Sequence, residues 1–344
     1  MLGISIYFQD YDPNYLKTAA KAGAKYIFTS LQIPEEDYSH LDEVLPDFLA
    51  LCHKLGMQLV PDVSPVTFKR LGVKPNDYGK LKALGFTALR LDYGADDFAL
   101  IKQLQKDFFL MLNASVVNDD YLRQARASGV DFDKIALTYN FYPETNTGMS
   151  WTAFKERNLS LKAQGLRTQA FVCGDALKRF PLYEGLPTVE ADRGKNPYVA
   201  AVQMIHEAHV DDVFIGDSEA RSETLIRIAD YQKDKLVHLP CHLEAGYENL
   251  YGQKIKLRAD QPEKIVRLLL PRKPDVPIFH NLTPTAGSIV MQNRLARRYS
   301  GEVYLVKETL PVAARTNVIG FIAPEYQELL QYLDADNTIV FDRL

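Results

Sequence analysis

The sequence lacks the features of a membrane or secreted protein. No apolar run approaches the ~18 residues that a membrane-spanning helix needs. The opening "MLGISIYFQDYDP" has no basic segment ahead of its apolar residues, so we expect no signal peptide. Only three cysteines occur, at positions 52, 173 and 241, and their odd number and wide spacing argue against a disulfide framework. These absences predict a reduced, cytoplasmic protein with no membrane partner.

Long basic segments and nucleotide-binding loops are missing as well. The net charge is −4, which argues against a nucleic-acid partner or an anionic membrane surface. Neither G-x-G-x-x-G nor G-x-x-x-x-G-K-S/T occurs anywhere in the chain. We therefore expect no cofactor.

What the sequence has in abundance is a repeated strand–helix rhythm. Helix, glycine and strand follow one another in stretches such as "AKAGAKYIF" and "LKALGFTALR". The strand candidates are residues 2–8, 24–31, 58–64, 88–93, 108–115, 134–142, 167–174 and 211–218. Eight such units in about 230 residues predict a (β/α)8 TIM barrel. A doubly wound open sheet is the alternative, but it needs fewer strands and its dinucleotide form needs a Gly-rich first turn.

The pattern of predicted strands and helices changes near Tyr231. Beyond it, short strands such as "KLVHLPCHLE" and "GEVYLVKE" are separated by Pro, Gly and charged turns. A chain of 344 residues is long enough for about two domains. We predict a barrel domain over residues 1–232 and a mostly-β domain over residues 233–344.

Alternation along each strand assigns its side chains to two faces. In "TALRLDYG" (87–94), Leu89 and Leu91 face the helices, so Arg90 and Asp92 face the barrel interior. The same alternation in the other strands predicts a polar cluster at the C-terminal mouth, where barrel active sites lie. The other members of this cluster that bear on function are Tyr7, Asp62, Asn113, Asn140, Tyr142, Asp175 and Asp217.

The chemistry of this cluster rests on its carboxylates. Asp62 and Asp92 lie within their strands, whereas Asp217 and Asp175 are also explained by helix capping or by a loop position. No strand end carries a histidine, so we expect no metal. Carboxylates beside many neutral hydrogen-bonding groups suit a polyol ligand and acid/base work on a glycosidic bond.

A long connection, "DALKRFPLYEGLPTVEADRGKN" (175–196), follows the seventh strand. Asn196 is a good N-cap and Pro197 a good first helical residue. Arg193 and Lys195 would then lie at a helix N-terminus, which favours an anion, and barrel phosphate sites frequently follow strands seven and eight. A solvated charged loop explains the same residues equally well.

The order of several short motifs resembles one bacterial family. The stretches "LGISIYF", "RLDYG", "LNAS", "NFYP", "DRGKNP", "IGDS" and "RTNVIG" are similar, along essentially the whole chain, to those of the MupG-type 6-phospho-N-acetylmuramidases. The resemblance implies a (β/α)8 barrel followed by a small cyclophilin-like β domain. It also implies cytoplasmic cleavage of a disaccharide, 6-phospho-N-acetylmuramic acid linked to N-acetylglucosamine, during peptidoglycan recycling.

Taken with the face assignment, the resemblance suggests a role for each candidate residue. Asp92 and Asp62 are the predicted acid/base or nucleophile pair, with Asp217 as the alternate member, and Arg90 is foremost their counter-ion. Arg193 and Lys195 hold the phosphate in this prediction. The full predicted substrate-binding set is Tyr7, Arg90, Asn113, Asn140, Tyr142, Asp175, Arg193, Lys195, Arg315 and Asn317, of which the last two reach in from the second domain.

Two other functions fit the same residues. One is a sugar-phosphate isomerase or lyase on the same barrel, although a Schiff-base aldolase would need a lysine inside a strand end and none of the predicted strands places one there. The other is a sugar-phosphate binding or regulatory protein. Retaining and inverting mechanisms both remain open, and the sequence predicts no particular oligomeric state.

Overall fold

The chain folds as two units, Met1–Ala229 and Asp230–Leu344. The computed structural model describes residues 1–30, 33, 35–74, 77–91 and 97–344, with the backbone alone described at positions 42, 65 and 66. Within these residues, every helix is too short or too polar to span a bilayer.

The first unit is a closed barrel of eight parallel strands arranged in chain order, which confirms the predicted fold class. The strands are β1 (Leu2–Ile6), β2 (Tyr26–Ser30), β3 (Gln58–Val63), β4 (Ala88–Leu91), β5 (Phe109–Asn113), β6 (Ile135–Thr138), β7 (Arg167–Val172) and β8 (Asp212–Ile215). Each begins within two residues of its predicted start, and the six strands whose following residues the structure describes (β1, β3, β5, β6, β7 and β8) end earlier than predicted. The polar residues beyond these ends belong to the loops at the mouth.

Helices follow the strands in turn. They are α1 (Pro13–Ala22), α2 (Leu41–Leu55), α3 (Pro65–Arg70), α4 (Tyr78–Ala83), α5 (Phe98–Leu104), α6 (Asp119–Ala127), α7 (Trp151–Ala163), α8 (Pro197–Glu207) and α9 (Ser222–Asp234). Side chains that accept a hydrogen bond from the first turn explain where several of them begin. These caps are Asp12, Ser64, Asp97, Asn118, Ser150 and Asn196. Gly23 ends α1 at φ 108°, a left-handed conformation that suits the predicted glycine stop.

The barrel interior is filled by one apolar layer. Its members are Tyr26, Phe28, Val60, Ala88, Met111, Ala136, Phe171 and Phe214. Since side chains alternate along a strand, the residues two positions further on also point inward, closer to the mouth. In β3 and β4 these are Asp62 and Arg90, which are direct register partners on adjacent strands.

The second unit is mostly β, as the sequence predicts. Its seven-stranded sheet has the order β10-β15-β9-β14-β12-β13-β11. The strands are β9 (Leu236–Leu243), β10 (Ile255–Lys256), β11 (Ile265–Arg267), β12 (Ser288–Gln292), β13 (Val303–Val306), β14 (Thr316–Ile322) and β15 (Thr338–Arg343). Strands β9 and β15 pair in parallel, and the remaining neighbours pair antiparallel.

His238 joins two parts of this second unit. Its Nδ1 lies 3.1 Å from an oxygen of Asp342 on β15, and its Nε2 lies 3.0 Å from Asp230 at the end of α9. Burial alone would lower the pKa of His238, but its hydrogen bonds to the two carboxylates outweigh that effect and the pKa is raised. The histidine is therefore a structural ionic link within this unit.

Candidate active site

A cavity of about 200 Å³ opens at the C-terminal end of the barrel strands. It is lined by Phe28, Asp62, Arg90, Asn140, Phe141 and Phe171. Three of these, the aspartate, the arginine and the asparagine, belong to the predicted site. Ligand pockets in barrels lie at this end, so the cavity is the candidate active site.

A short chain of hydrogen bonds joins the three polar residues of the cavity. Arg90 donates from Nη1 to Asp62 Oδ1 and from Nη2 to Asn140 Oδ1, each at 2.5 Å. The side chains of Asp62 and Arg90 are 9% and 8% exposed. Because a guanidinium only donates, Asn140 must turn its carbonyl oxygen toward Arg90 and its NH2 group away from it. Arg90 thus both compensates the charge of Asp62 and orients an amide donor.

Aromatic rings form the walls around this polar chain. The ring of Phe141 packs edge-to-face on Phe28 and on Phe171, with centroids 5.7 and 5.1 Å apart. The guanidinium carbon of Arg90 lies 5.8 Å from the centroid of Phe28. Apolar walls lower the local dielectric and strengthen the ion pair that they enclose.

The structure describes two of the three predicted catalytic carboxylates, and it places them in different positions. Asp62 lines the cavity, as the alternation of β3 predicts. Asp92 lies outside the described residues. Asp217 is fully buried and follows β8 out of phase, because Phe214 is the inward residue of that strand and Gly216 takes the next inward position.

Asp217 is bound by the loop that follows β7 (residues 173–196, the β7–α8 loop). Its Oδ2 accepts hydrogen bonds from Gly174 N at 2.8 Å and from Lys178 Nζ at 3.4 Å, and its Oδ1 accepts from Arg179 N at 3.0 Å. A carboxylate that accepts two backbone N–H bonds shapes the backbone around it. Asp217 therefore holds the start of the β7–α8 loop in place.

Asp175, predicted to bind substrate, supports the start of α9. Its two oxygens accept hydrogen bonds from Arg221 N at 2.8 Å and from Thr224 Oγ1 at 2.6 Å. These contacts satisfy donors at a helix N-terminus, as a capping residue does. This matches the loop role that the sequence left open for it.

Arg193 is bound into the β7–α8 loop. Its Nε and Nη2 each donate to an oxygen of Glu190 at 2.7 Å, and this bidentate contact lowers the pKa of Glu190 to about 2. Its Nη1 donates to the carbonyl of Gly185, and Nη2 also donates to those of Tyr142 and Glu144. All three nitrogens of the guanidinium thus donate to protein oxygens, so Arg193 braces the loop against the segment after β6.

Lys195 also contacts the protein. Its Nζ donates to Gln203 Oε1 at 2.7 Å and lies 3.9 Å from an oxygen of Asp192. The helix start predicted beside it is confirmed, because Asn196 caps α8 and Pro197 is its first residue. The two cations predicted to hold a phosphate there are thus placed against protein acceptors.

The remaining predicted residues of the first unit lie at or near the mouth. Tyr7 is fully buried, its hydroxyl donates to Gly216 O at 2.7 Å, and burial raises its pKa far above the usual range. Asn113 accepts from Ser115 N at 2.9 Å, which closes the turn after β5. Tyr142 is half-buried after β6.

Two predicted residues belong to the second unit. Arg315 is exposed. Asn317 is fully buried, where its Nδ2 donates to Pro277 O at 2.8 Å and its Oδ1 accepts from Asn293 Nδ2 at 2.9 Å. The amide of Asn317 therefore makes these hydrogen bonds within its own unit.

Sequence reasoning missed two charged residues near the mouth. Glu36 is 6% exposed and accepts hydrogen bonds from Gln9 N and from the hydroxyl of Tyr38, while burial raises its pKa. Arg179, in the β7–α8 loop, is 7% exposed and stacks on aromatic rings. The available signal for the arginine was its position, since "KRFP" places it beside an aromatic residue in an unusually long loop. Across the described residues, no group of three or more His, Cys, Asp or Glu side chains is arranged to hold a metal.

Comparison with known proteins identifies similar chains. Two family models match: the 6-phospho-N-acetylmuramidase N-terminal model over residues 2–230 and the C-terminal model over residues 237–342. Comparison with curated proteins gives no match.

Two similar solved structures extend along the whole chain. A conserved Enterococcus faecalis protein of unknown function is 29% identical, with a TM-score of 0.85, over 100% of this chain and 96% of that one. An uncharacterized B. cereus protein is 25% identical, with a TM-score of 0.79, over 99% of this chain and 98% of that one.

Proposed function

We propose that this chain, which belongs to the 6-phospho-N-acetylmuramidase family, hydrolyses the glycosidic bond between 6-phospho-N-acetylmuramic acid and N-acetylglucosamine. The reaction would take place in the cytoplasm, on fragments of peptidoglycan that are being recycled. The observation that carries the proposal is the buried carboxylate of Asp62, paired with Arg90 beside a cavity at the barrel mouth. Most glycosidases use a carboxyl pair flanking the scissile bond.

The contacts of Asp62 favour one of the two carboxyl roles. A guanidinium at 2.5 Å compensates a negative charge on this carboxylate. That suits a base or a nucleophile, and it does not suit an acid that must carry a proton to the leaving oxygen. We therefore assign Asp62 as the base or nucleophile and keep Asp92, the other member of the predicted pair, as the acid.

Neutral groups around Asp62 would orient the sugar. Asn140 lines the cavity with its NH2 group turned away from Arg90, which suits donation to a hydroxyl or to the acetamido oxygen. Asn113 at the end of β5 and Tyr142 after the neighbouring β6 keep their predicted part in substrate binding. Phe141 and the other aromatic walls offer apolar surface to a sugar ring.

Several predicted site residues, catalytic or substrate-binding, are better explained as supports. Asp175, Arg193 and Asp217 use their charged groups to fix the β7–α8 loop and α9. We assign them to positioning the mouth. A ligand contact by Arg315 stays a prediction, supported by the exposure of its side chain.

Product release tests the proposal directly. Purified protein is incubated with the phosphodisaccharide, and free N-acetylglucosamine is quantified over time. We expect steady release by the wild type and a loss of ~10²–10⁴-fold in Asp62→Asn, the range typical for removal of a positioned acid or base. Asp97→Asn is the matched control, because it makes the same change at the N-cap of α5, where asparagine caps equally well.

Two outcomes would count against the proposal. If the wild type binds the phosphodisaccharide tightly but releases no N-acetylglucosamine, the chain is a sugar-phosphate binding protein. If folded Asp62→Asn keeps near-normal hydrolysis, the reaction does not depend on this carboxylate.

A further inference from the structure

Arg179 is a buried cation at the mouth of the barrel. It is 7% exposed, and its guanidinium carbon lies 4.9 Å from the ring centroid of Tyr7 and 5.3 Å from that of Phe180. Tyr7, Phe180 and Leu186 form one apolar cluster, against which Phe141 packs. Phe141 also lines the cavity that contains Asp62, so the arginine and the candidate active site share one aromatic wall.

Within the part of the chain that the structure describes, the buried carboxyl of Glu36 interacts electrostatically with this cation but forms no ion pair with it. The guanidinium makes no ion pair there, and its Nε is buried without a hydrogen-bond partner. Other buried arginines behave differently: Arg90 pairs with Asp62, and Arg193 pairs with Glu190. A buried charge costs free energy unless it is compensated, so a buried guanidinium that has no ion pair and lies beside the candidate active site points to a ligand of opposite charge.

The backbone that carries Arg179 is held rigidly. Asp217 accepts hydrogen bonds from the backbone N–H of Arg179 and from that of Gly174. A Cβ at Gly174 would lie 2.2 Å from the carbonyl oxygen of Glu219, so only glycine permits the close approach of these two segments. Lys178, the neighbouring cation, donates to Gly174 O at 2.6 Å. The loop therefore presents Arg179 in one position before a ligand arrives.

We propose that Arg179 binds the phosphate of the substrate. The identity of the ligand rests on the proposed function, because that substrate carries a phosphate monoester; the need for an anion rests on the geometry of Arg179 alone. A guanidinium matches the oxygens of a phosphate bidentately, and the Nε of Arg179 has no hydrogen-bond partner among the described residues. Arg179 takes the part that the sequence assigns to Arg193 and Lys195.

Binding of small sugars separates phosphate from carboxylate. N-acetylglucosamine 6-phosphate carries a phosphate without a carboxylate, and N-acetylmuramic acid carries a carboxylate without a phosphate. By calorimetry, we expect the wild type to bind the first at least ~10-fold more tightly than N-acetylglucosamine, and Arg179→Met to lose this preference. Arg126→Met is the matched control, because Arg126 is exposed and stacks on Phe132 at 5.2 Å.

Hydrolysis supplies the second readout. We expect kcat/KM on the phosphodisaccharide to fall ~100-fold in Arg179→Met, and kcat/KM on the unphosphorylated disaccharide to change less than ~3-fold. If Arg179→Met fails to fold, Arg179→Lys keeps the charge but loses the bidentate fork, and its phosphate preference should fall ~10-fold.

Each outcome has a distinct meaning. Equal losses for phosphorylated and unphosphorylated substrates, or a loss of binding to N-acetylmuramic acid alone, would overturn the assignment to phosphate. An unchanged phosphate preference in Arg179→Met would overturn it as well. If the wild type hydrolyses nothing but binds N-acetylglucosamine 6-phosphate through Arg179, the phosphate site stands and the proposed hydrolase function fails.

Discussion

Replacing Arg90 by methionine removes the cation from the centre of the candidate active site with little change in volume. Removing one partner of a buried ion pair costs roughly 3–5 kcal/mol. Asp62 and Arg90 are each less than a tenth exposed, which places the pair in this range. The neighbouring cavity of about 200 Å³ admits solvent to the stranded carboxylate and lowers the cost. We expect Arg90→Met to lower the free energy of unfolding by about 3 kcal/mol.

The single tryptophan makes this measurement specific to the barrel. The chain has one tryptophan, Trp151, at the start of α7 in the first unit. Its fluorescence during urea unfolding therefore reports on that unit. Arg126→Met, an exposed arginine variant, should stay within ~0.5 kcal/mol of the wild type.

A double variant tests the cause of the loss. Asp62→Leu combined with Arg90→Met replaces the ion pair by two apolar side chains, which is often neutral or stabilising for buried pairs. We expect the double variant to be at least ~2 kcal/mol more stable than Arg90→Met alone. Two results would refute a buried, charge-compensating pair. One is a loss of less than ~1 kcal/mol in the free energy of unfolding of Arg90→Met. The other is a loss in the double variant that equals the sum of the losses in Arg90→Met and Asp62→Leu.

Three further predictions concern the supports of the fold. Asp175→Ala should cost ~1 kcal/mol by urea unfolding, the usual cost of a lost helix cap, and should leave the phosphate preference of hydrolysis unchanged. Arg193→Met should lower stability by ~2 kcal/mol or more, with no selective loss on phosphorylated substrate; a selective loss would return the phosphate site to Arg193. Because the pKa of His238 is raised in the folded protein, its ionic link is fully present below about pH 6.5 and is lost as pH rises through the folded pKa. The stability of the second unit, measured by calorimetry, should fall over that pH range in the wild type and stay constant in His238→Gln.

Much of the fold follows from short-range patterns in the sequence. Short β-rich runs between helix–glycine signals located all eight barrel strands, and the Asn196–Pro197 signal located the start of α8. The alternation of side chains along each strand placed Asp62 and Arg90 on the inner face. These features are readable because each depends on neighbours only a few residues away.

The contacts that separate binding groups from supports are long-range. Arg193 meets Tyr142, whose carbonyl lies 51 positions earlier in the chain, and Asp217 meets Arg179 across 38 positions. Arg179 differs from the other cations of the β7–α8 loop in its contact with the ring of Tyr7, which lies near the start of the barrel sequence. No local pattern predicts such partners, so charged residues of the same loop looked equivalent in the sequence. Asp217 was predicted to face the barrel interior because the alternation was extended past the end of β8. Alternation ends with the strand, and a shift of one residue there moves a side chain to the other face.

The most direct test of the account uses a 6-phospho-N-acetylmuramic acid glycoside with an activated aryl leaving group. Such a leaving group needs no acid, so Asp92→Asn should still release the aryl group rapidly in the first turnover while losing activity on the natural disaccharide. Asp62→Asn should lose ~10²–10⁴-fold on both substrates, because a base or nucleophile is needed in either case. Near-normal aryl glycoside cleavage by folded Asp62→Asn would contradict the central claim that this carboxylate, paired with Arg90, carries the attack.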